Sequence, residues 1–301
     1  MEQTGISPIG IAGAGRLGQA LGRLLHDRGQ PIVAIAGRDP RRTRAAAAFI
    51  YKDVLPVSFA DLPSQAARVL ICVPDDAVEE VAHILATAPK AIDMALQTCG
   101  SRGPEALAEL ESRGAFCASL HPLQTVATPA QGVADLPGSS FGITPGGTGE
   151  GAALDWAVEI VRLLKGQALT IAAENRPLYH AAAVMASNYI VAMIDAAVVL
   201  MGLAGVEREA ALQALGPLVR ASVENSLRAG PVQALTGPIE RADERTVAAH
   251  LLALDALDSA PETVRQLYRQ AGLHTIEVAR RKAPLVDRGN IELLLRQGTS
   301  S

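Results

Sequence analysis

The sequence predicts an α/β N-terminal domain on a mostly parallel, doubly wound sheet, followed by an all-α C-terminal domain. Three observations lead there. Short apolar runs alternate with helical stretches through roughly the first 170 residues, which is the pattern of a parallel sheet covered on both faces. The first of those runs meets its helix through Gly10, Gly13, Gly15 and Gly18. From Glu174 onward the apolar residues follow helical spacing, with no convincing strand. The domains are therefore drawn at residues 1–170 and 171–301, with the break near 169–175.

Taken in order, 8–14 reads as the first strand and 17–27 as its helix, then 31–37 as strand and 41–49 as helix. A short strand is expected near Val57. The run 68–73, stopped by Pro74, is a buried strand, and 77–86 its helix. Strand 91–97, helix 104–112 and strand 115–120 follow. Residues 127–149 are rich in Pro, Gly, Ser and Thr, with one strand at 139–144; helix 151–164 and strand 168–172 close the domain. The helical half reads as 177–204, 207–229, 243–257, 261–271 and 274–282.

The glycine run Gly13-Ala-Gly15-Arg-Leu-Gly18 carries the first functional expectation. Gly13 permits a tight turn, Gly15 lets the backbone approach a pyrophosphate, and Gly18 allows the helix to pack closely on the strand. The helix N-terminus then presents unpaired N–H groups and partial positive charge to phosphate, with Arg16 and Leu17 in its first turn. An acidic residue at the end of the second strand would bind the ribose 2′-OH of NAD. Here Gly37 stands at or beside that position, followed by Arg38, Arg41 and Arg42, whose guanidinium groups match the 2′-phosphate of NADP. The competing reading makes these arginines a solvated helix start capped by Asp39. Val73 and Pro74 end the fourth strand where cofactor and substrate meet, and Asp75 and Asp76 are expected to cap the next helix.

Composition excludes other classes. The chain has 301 residues, 49% hydrophobic, enough for two domains with sizeable cores. Its net charge of −4, with scattered basic residues and a pI near 5.9, lacks the footprint of nucleic-acid binding. The opening Met-Glu-Gln-Thr-Gly is neither basic nor followed by an apolar segment with a cleavage site, so no signal peptide is expected. Cys72, Cys99 and Cys117 lie in apolar runs and read as buried reduced thiols of a cytoplasmic protein; no Cys/His spacing suggests a metal site. The apolar stretch 181–205 contains Ser187, Asn188 and Asp195, so a buried central helix is expected in preference to a membrane span.

His121 follows an apolar strand and precedes Pro122, which restrains it to an extended conformation at the crevice. A structural histidine is the competing reading; Gln124 and Thr125 add hydrogen-bonding capacity. His180 lies in the first turn of the long helix, with Ser187, Asn188 and Asp195 within one broad face, so an otherwise apolar helix carries one polar stripe. Its partners are either protein groups or a substrate; Asp195 is expected to be structural or a dimer contact. In the loop 235–243, Arg241 is placed either to bind a substrate carboxylate or to pair with Glu240 or Asp243.

Together Gly13-Ala-Gly15-Arg-Leu-Gly18, His121-Pro-Leu-Gln-Thr, Phe141-Gly-Ile-Thr-Pro, Tyr179-His-Ala-Ala-Ala-Val-Met-Ala-Ser-Asn188 and Leu235-Thr-Gly-Pro-Ile resemble proteins that join a Rossmann-like domain to a DUF2520 domain. The resemblance spans nearly the whole chain. It implies an NADP-binding domain and a helical domain, similar to the C-terminal part of 6-phosphogluconate dehydrogenase, that commonly dimerises. Ketopantoate reductase, pyrroline-5-carboxylate reductase, β-hydroxyacid dehydrogenases and prephenate dehydrogenase are similar in architecture, and some DUF2520-type proteins are linked to ketopantoate reduction. The chain departs from the usual ketopantoate reductase, which has a Lys and, four residues on, an Asn at the start of the long helix; His180 and Val184 stand here. The His-Pro pair resembles prephenate dehydrogenase, whose histidine at that strand end contacts substrate.

The expectation is an NADPH-dependent reductase of a small 2-oxo acid, leading with 2-dehydropantoate, with the nicotinamide between the two domains. His121 or His180 donates the proton, Asn188 and Ser187 orient the acceptor oxygen, and Arg241 anchors a carboxylate. An imine reductase of the pyrroline-5-carboxylate type and a non-catalytic NADP-sensing dimer are the alternatives. Neither nucleic acid nor membrane is expected as a partner.

Overall fold

The computed structural model describes residues 7–147, 151–256 and 260–297. The N-terminal Met-Glu-Gln-Thr-Gly segment and residue 257, the last of the expected helix 243–257, lie outside the described residues. The chain divides into two compact units, residues up to Ser187 and residues from Asn188.

The first unit is an eight-stranded sheet in the order β3-β2-β1-β4-β5-β6-β7-β8. Its strands are β1 (Ile9–Ala12), β2 (Ile32–Ala36), β3 (Leu55–Val57), β4 (Arg68–Ile71), β5 (Met94–Gln97), β6 (Phe116–Pro122), β7 (Ser140–Pro145) and β8 (Gln167–Thr170). The helices are α1 (Arg16–His26), α2 (Pro40–Ile50), α3 (Leu62–Gln65), α4 (Val78–Ala86), α5 (Ala108–Ser112), α6 (Pro129–Asp135), α7 (Ala152–Leu163) and α8 (Arg176–Ala186). All pairings are parallel except β6 with β7, which sets His121 opposite Gly142. Strand order reverses at β1, so the crevice outside the C-terminal ends of β1 and β4 is the ligand position of a doubly wound sheet.

Two buried clusters sandwich the sheet. One gathers Ile9, Ile11, Leu21, Leu25, Ile35, Phe141, Trp156 and Ile160; the other gathers Val69, Ile71, Val78, Leu85, Leu107 and Leu110. Burial on both faces explains why these strands read as continuous apolar runs rather than alternating ones. Helix α6 forms inside the segment rich in Pro, Gly, Ser and Thr, because Thr128 caps it through the Gln131 N–H and Pro129 fits its first turn.

The second unit comprises α9 (Asn188–Leu203), α10 (Arg208–Ala229), α11 (Pro231–Ala234), α12 (Glu244–Asp255), α13 (Glu262–Lys282) and α14 (Gly289–Arg296). Val247, Leu251, Ile276, Ile291 and Leu295 form its core. The two helices expected at 261–271 and 274–282 are one. Gly272 does not break α13, and its bare Cα lies where a methyl group would press on Leu295. Buried Arg288 donates to the carbonyls of Ile239, Glu240, Ala283 and Val286 and so fixes the 235–241 loop.

Two expectations about the apolar helix are corrected. The helix 177–204 is interrupted at Ser187, whose backbone (φ −125°, ψ −76°) ends α8 and separates it from α9. Nor is it buried: Val198 alone is buried in α9, while Tyr189, Val191 and Met193 are exposed. The stretch Ala173–Leu203 is long and apolar enough to cross a membrane, with a mean hydropathy of 1.9 and 6% of its most apolar window buried. Its apolar surface runs around the helix and is not confined to one stripe, so packing within one chain covers only part of it. Asp195 pairs with Arg208 at 3.6 Å, and both side chains are exposed.

Candidate functional site

The site begins at the turn between β1 and α1. Gly13 has φ +129°, and a Cβ there would collide with the Cys72 carbonyl; a Cβ on Gly18 would collide with the Gly13 carbonyl. Both glycines are therefore dictated by backbone contact. Among the described residues, a Cβ on Gly15 would meet no atom nearer than the Cys72 oxygen at 3.9 Å, so the space beside Gly15 is free for a ligand. Gly15 caps α1 without a side-chain hydrogen bond, and the first turn contains no acidic residue, which leaves its N–H groups facing the crevice.

Above this turn lies a cavity of about 340 Å³ lined by Gly13, Gly15, Gly37, Arg38, Arg42, Phe59, Val81 and Ile84, among others. A Cβ on Gly37 would approach the Thr43 hydroxyl to 2.6 Å, so the strand end must stay bare. Asp39 accepts from the Arg41 and Arg42 backbone N–H groups and caps α2. The two readings of this segment thus coexist: Asp39 caps while the Arg38 and Arg42 side chains line the cavity. Arg41 is exposed and is not part of that lining. Apolar walls with two guanidinium groups fit the adenosine 2′-phosphate end of NADP.

A second cavity of about 490 Å³ shares Gly15, Arg42, Val73 and Pro74 with the first and continues past Arg16, Leu17, Asp75, Gly100, His121, Gln124 and His180. The ends of β4, β5 and β6 and the first turns of α8 meet there. A Cβ on Gly100 would lie 2.5 Å from His180 Nδ1 and 2.7 Å from His121 Nε2, so both imidazoles present a nitrogen to one point. Their rings are edge-on, with centroids 5.9 Å apart. His180 Nδ1 is buried and has no hydrogen-bond partner among the described residues. Arg176, 2% exposed, donates to Thr144 Oγ1 and to the carbonyls of Cys99 and Gly100.

Burial, followed by the His180 and Arg176 charges, pushes His121 down to about 4 against the opposing pull of Asp75. The imidazole is therefore neutral at ordinary pH. Burial works to raise Asp75, but hydrogen bonds from Cys99 and Ser101 and the charges of His180 and His121 bring it below the usual carboxylate range. Asp75 bonds the Ser101 hydroxyl, and α4 has no side-chain cap, so the expectation that Asp75 caps that helix is corrected.

The structure brings together Arg16, Leu17, Val73, Pro74, His121, Gln124 and His180 from the sequence-based set. Gln124 also donates to the Asp135 carbonyl and accepts from the Thr125 N–H, which ties it to its own loop. Gly18 packs behind the turn and does not line either cavity. Ser187 ends α8 outside the lining, while Asn188 and Arg241 belong to the second unit and are exposed there. Sequence reading missed Arg176, Tyr179, Gly100 and the inward turn of Asp75. Arg176 and Tyr179 flank Pro177 at the start of α8, where a charged and an aromatic residue beside His180 were the available signal.

The depressed His121 predicts acid sensitivity. Above pH 6.5 neither the folded nor the unfolded form holds the proton; as pH falls toward about 4 the unfolded chain takes it up first, and stability is lost. Urea unfolding at pH 7 and pH 4.5 should show a loss approaching about 3 kcal/mol, and His121→Gln should remove that part of the pH dependence.

No curated protein matches the chain. Among solved structures, a Bacteroides fragilis protein assigned as an NADP oxidoreductase is 22% identical with a TM-score of 0.72, over 90% of this chain and 98% of that one. A reductive aminase from Aspergillus terreus in complex with NADPH is 16% identical with a TM-score of 0.57, over 96% and 92%. A pyrroline-5-carboxylate reductase from Coxiella burnetii is 14% identical with a TM-score of 0.58, over 92% and 98%. These likenesses extend the fold across both units. The Rossmann-like domain model matches residues 2–122, and the model of DUF2520, a domain of unknown function, matches residues 143–275. The chain is thus similar to a Rossmann-like domain over its first part and to DUF2520 over its second.

Proposed function

We propose that the chain is an NADPH-dependent reductase of a small 2-oxo acid, with 2-dehydropantoate the leading substrate. The observation that carries this is the convergence of His180 Nδ1 and His121 Nε2 beside Gly100, in a cavity continuous with the glycine turn. Bound NADPH would supply a hydride to the carbonyl carbon. The α1 N-terminus and Arg16 would face the pyrophosphate, and Arg38 and Arg42 the 2′-phosphate. His180, whose buried Nδ1 lacks a protein partner, would hydrogen-bond the carbonyl oxygen. His121 acts as a neutral hydrogen-bonding imidazole, not as an imidazolium acid.

A second reading has its own support. A neutral His121 beside an ionised Asp75 suits a C=N substrate that arrives protonated and needs no strong acid. NADPH consumption with 2-dehydropantoate against pyrroline-5-carboxylate separates the two; binding without consumption across oxo acids and imines would identify a nucleotide sensor instead.

We also propose a homodimer through the helical unit, supported by the exposed apolar side chains Tyr189, Val191, Met193, Leu218 and Leu227 on α9 and α10. A cytoplasmic location is proposed from the three buried free thiols.

His180→Ala should lower turnover about 100-fold with NADPH affinity retained, measured by steady-state kinetics and calorimetric titration; equal turnover would sink the assignment. Arg38→Ala with Arg42→Ala should weaken NADPH binding about 100-fold, the loss of two charge-assisted contacts, while NADH binding stays nearly constant. Light scattering at micromolar concentration should give twice the 31.3 kDa chain mass; a single-chain mass would overturn the dimer.

A further inference from the structure

Beside the two imidazoles the same cluster holds a phenol to which this reading gives no part. The antiparallel β6–β7 register places Gly142 opposite His121. The Tyr179 ring reaches over from α8 onto that bare Cα, where a Cβ would collide with its hydroxyl. The Tyr179 hydroxyl lies 2.9 Å from His121 Nδ1, with the rings edge-on at 89° and their centroids 5.6 Å apart. Its other acceptor, the His121 carbonyl, is farther at 3.4 Å. The opposite ring nitrogen, Nε2, is the one that faces the cavity beside Gly100.

One hydroxyl proton given to Nδ1 leaves His121 with its own proton on Nε2. We propose that Tyr179 is the proton reservoir of the site: it holds His121 in the Nε2–H tautomer and refills the ring as Nε2 gives its proton to the acceptor oxygen. The proposal rests on the reductase reading. As the carbonyl carbon receives the hydride, the C=O π pair moves to oxygen. That oxygen takes the Nε2 proton, Nδ1 takes the Tyr179 proton, and the ring ends neutral as the other tautomer. Tyr179 is left as phenolate and regains a proton from water, after which the tautomer resets. No imidazolium forms, so the relay operates with His121 neutral. An alkoxide is more basic than a phenolate, which makes the transfer downhill. Burial raises Tyr179, so it stays protonated at rest, while the Arg176 charge and the Gly142 N–H oppose that rise and favour the transient phenolate. Because it acts through His121, Tyr179 is a positioning residue.

The test is ¹⁵N-histidine NMR of the full-length protein with NADP bound, alongside kinetics with 2-dehydropantoate. The expected result is a His121 protonated at Nε2 with a hydrogen-bonded, unprotonated Nδ1. Tyr179→Phe should disturb that tautomer and lower kcat about 100-fold with KM nearly constant. A wild-type His121 protonated at Nδ1, or a Tyr179→Phe enzyme with the same tautomer and kcat, would overturn the relay. If Tyr179→Phe does not fold, the wild-type spectrum decides alone. Absence of wild-type turnover marks failure of the reductase reading, whereas turnover with the wrong tautomer marks failure of the relay.

Discussion

The site depends on one buried charge. Arg176 opens α8 and sends its guanidinium into the sheet, where it meets Thr144 on β7 and the carbonyls of Cys99 and Gly100 beyond β5. A guanidinium taken from water is tolerated only where such acceptors meet it. These contacts, made by the two terminal nitrogens, dock the first turn of α8, and with it Tyr179 and His180, against the strand end that carries His121. The same contacts explain why α8 goes with the first compact unit, while sequence texture placed the boundary near residue 170.

Around that anchor, the working surfaces are defined by side chains that are absent. Gly13 and Gly18 yield to backbone oxygens, Gly37 to the Thr43 hydroxyl, Gly100 to two imidazoles, and Gly142 to a phenol. The first three shape the nucleotide end and the last two the reacting end. The glycine pattern is thus more than a phosphate loop: it continues along the C-terminal edge of the sheet and admits each polar group to its place.

The nucleotide end was legible because its constraints are local. A turn, a helix start and a strand end follow one another in the chain, and residue spacing encodes all three. His121 was legible because a strand end in such a sheet has one side to face. Tyr179 and Arg176 were not, since their partners lie 58 and 32 or more residues away and depend on the β6–β7 register. The break at Ser187 escaped detection because neither Gly nor Pro marks it. The polar stripe drawn through Ser187, Asn188 and Asp195 assumed one unbroken helix, and the interruption removes that premise. The exposure of α9 was hidden for a different reason: composition shows that a helix is apolar, not what covers it.

The cap of α2 has a consequence for the choice of cofactor. Asp39 accepts from two backbone N–H groups through Oδ1, and among the described residues it forms no ion pair with the arginines that flank it. A small local interaction thereby leaves positive charge where a dinucleotide's ribose would rest. On the NADPH reading, that charge is what would separate a ribose bearing a 2′-phosphate from a bare one, because Arg38 and Arg42 line the cavity with no acidic partner among the described residues.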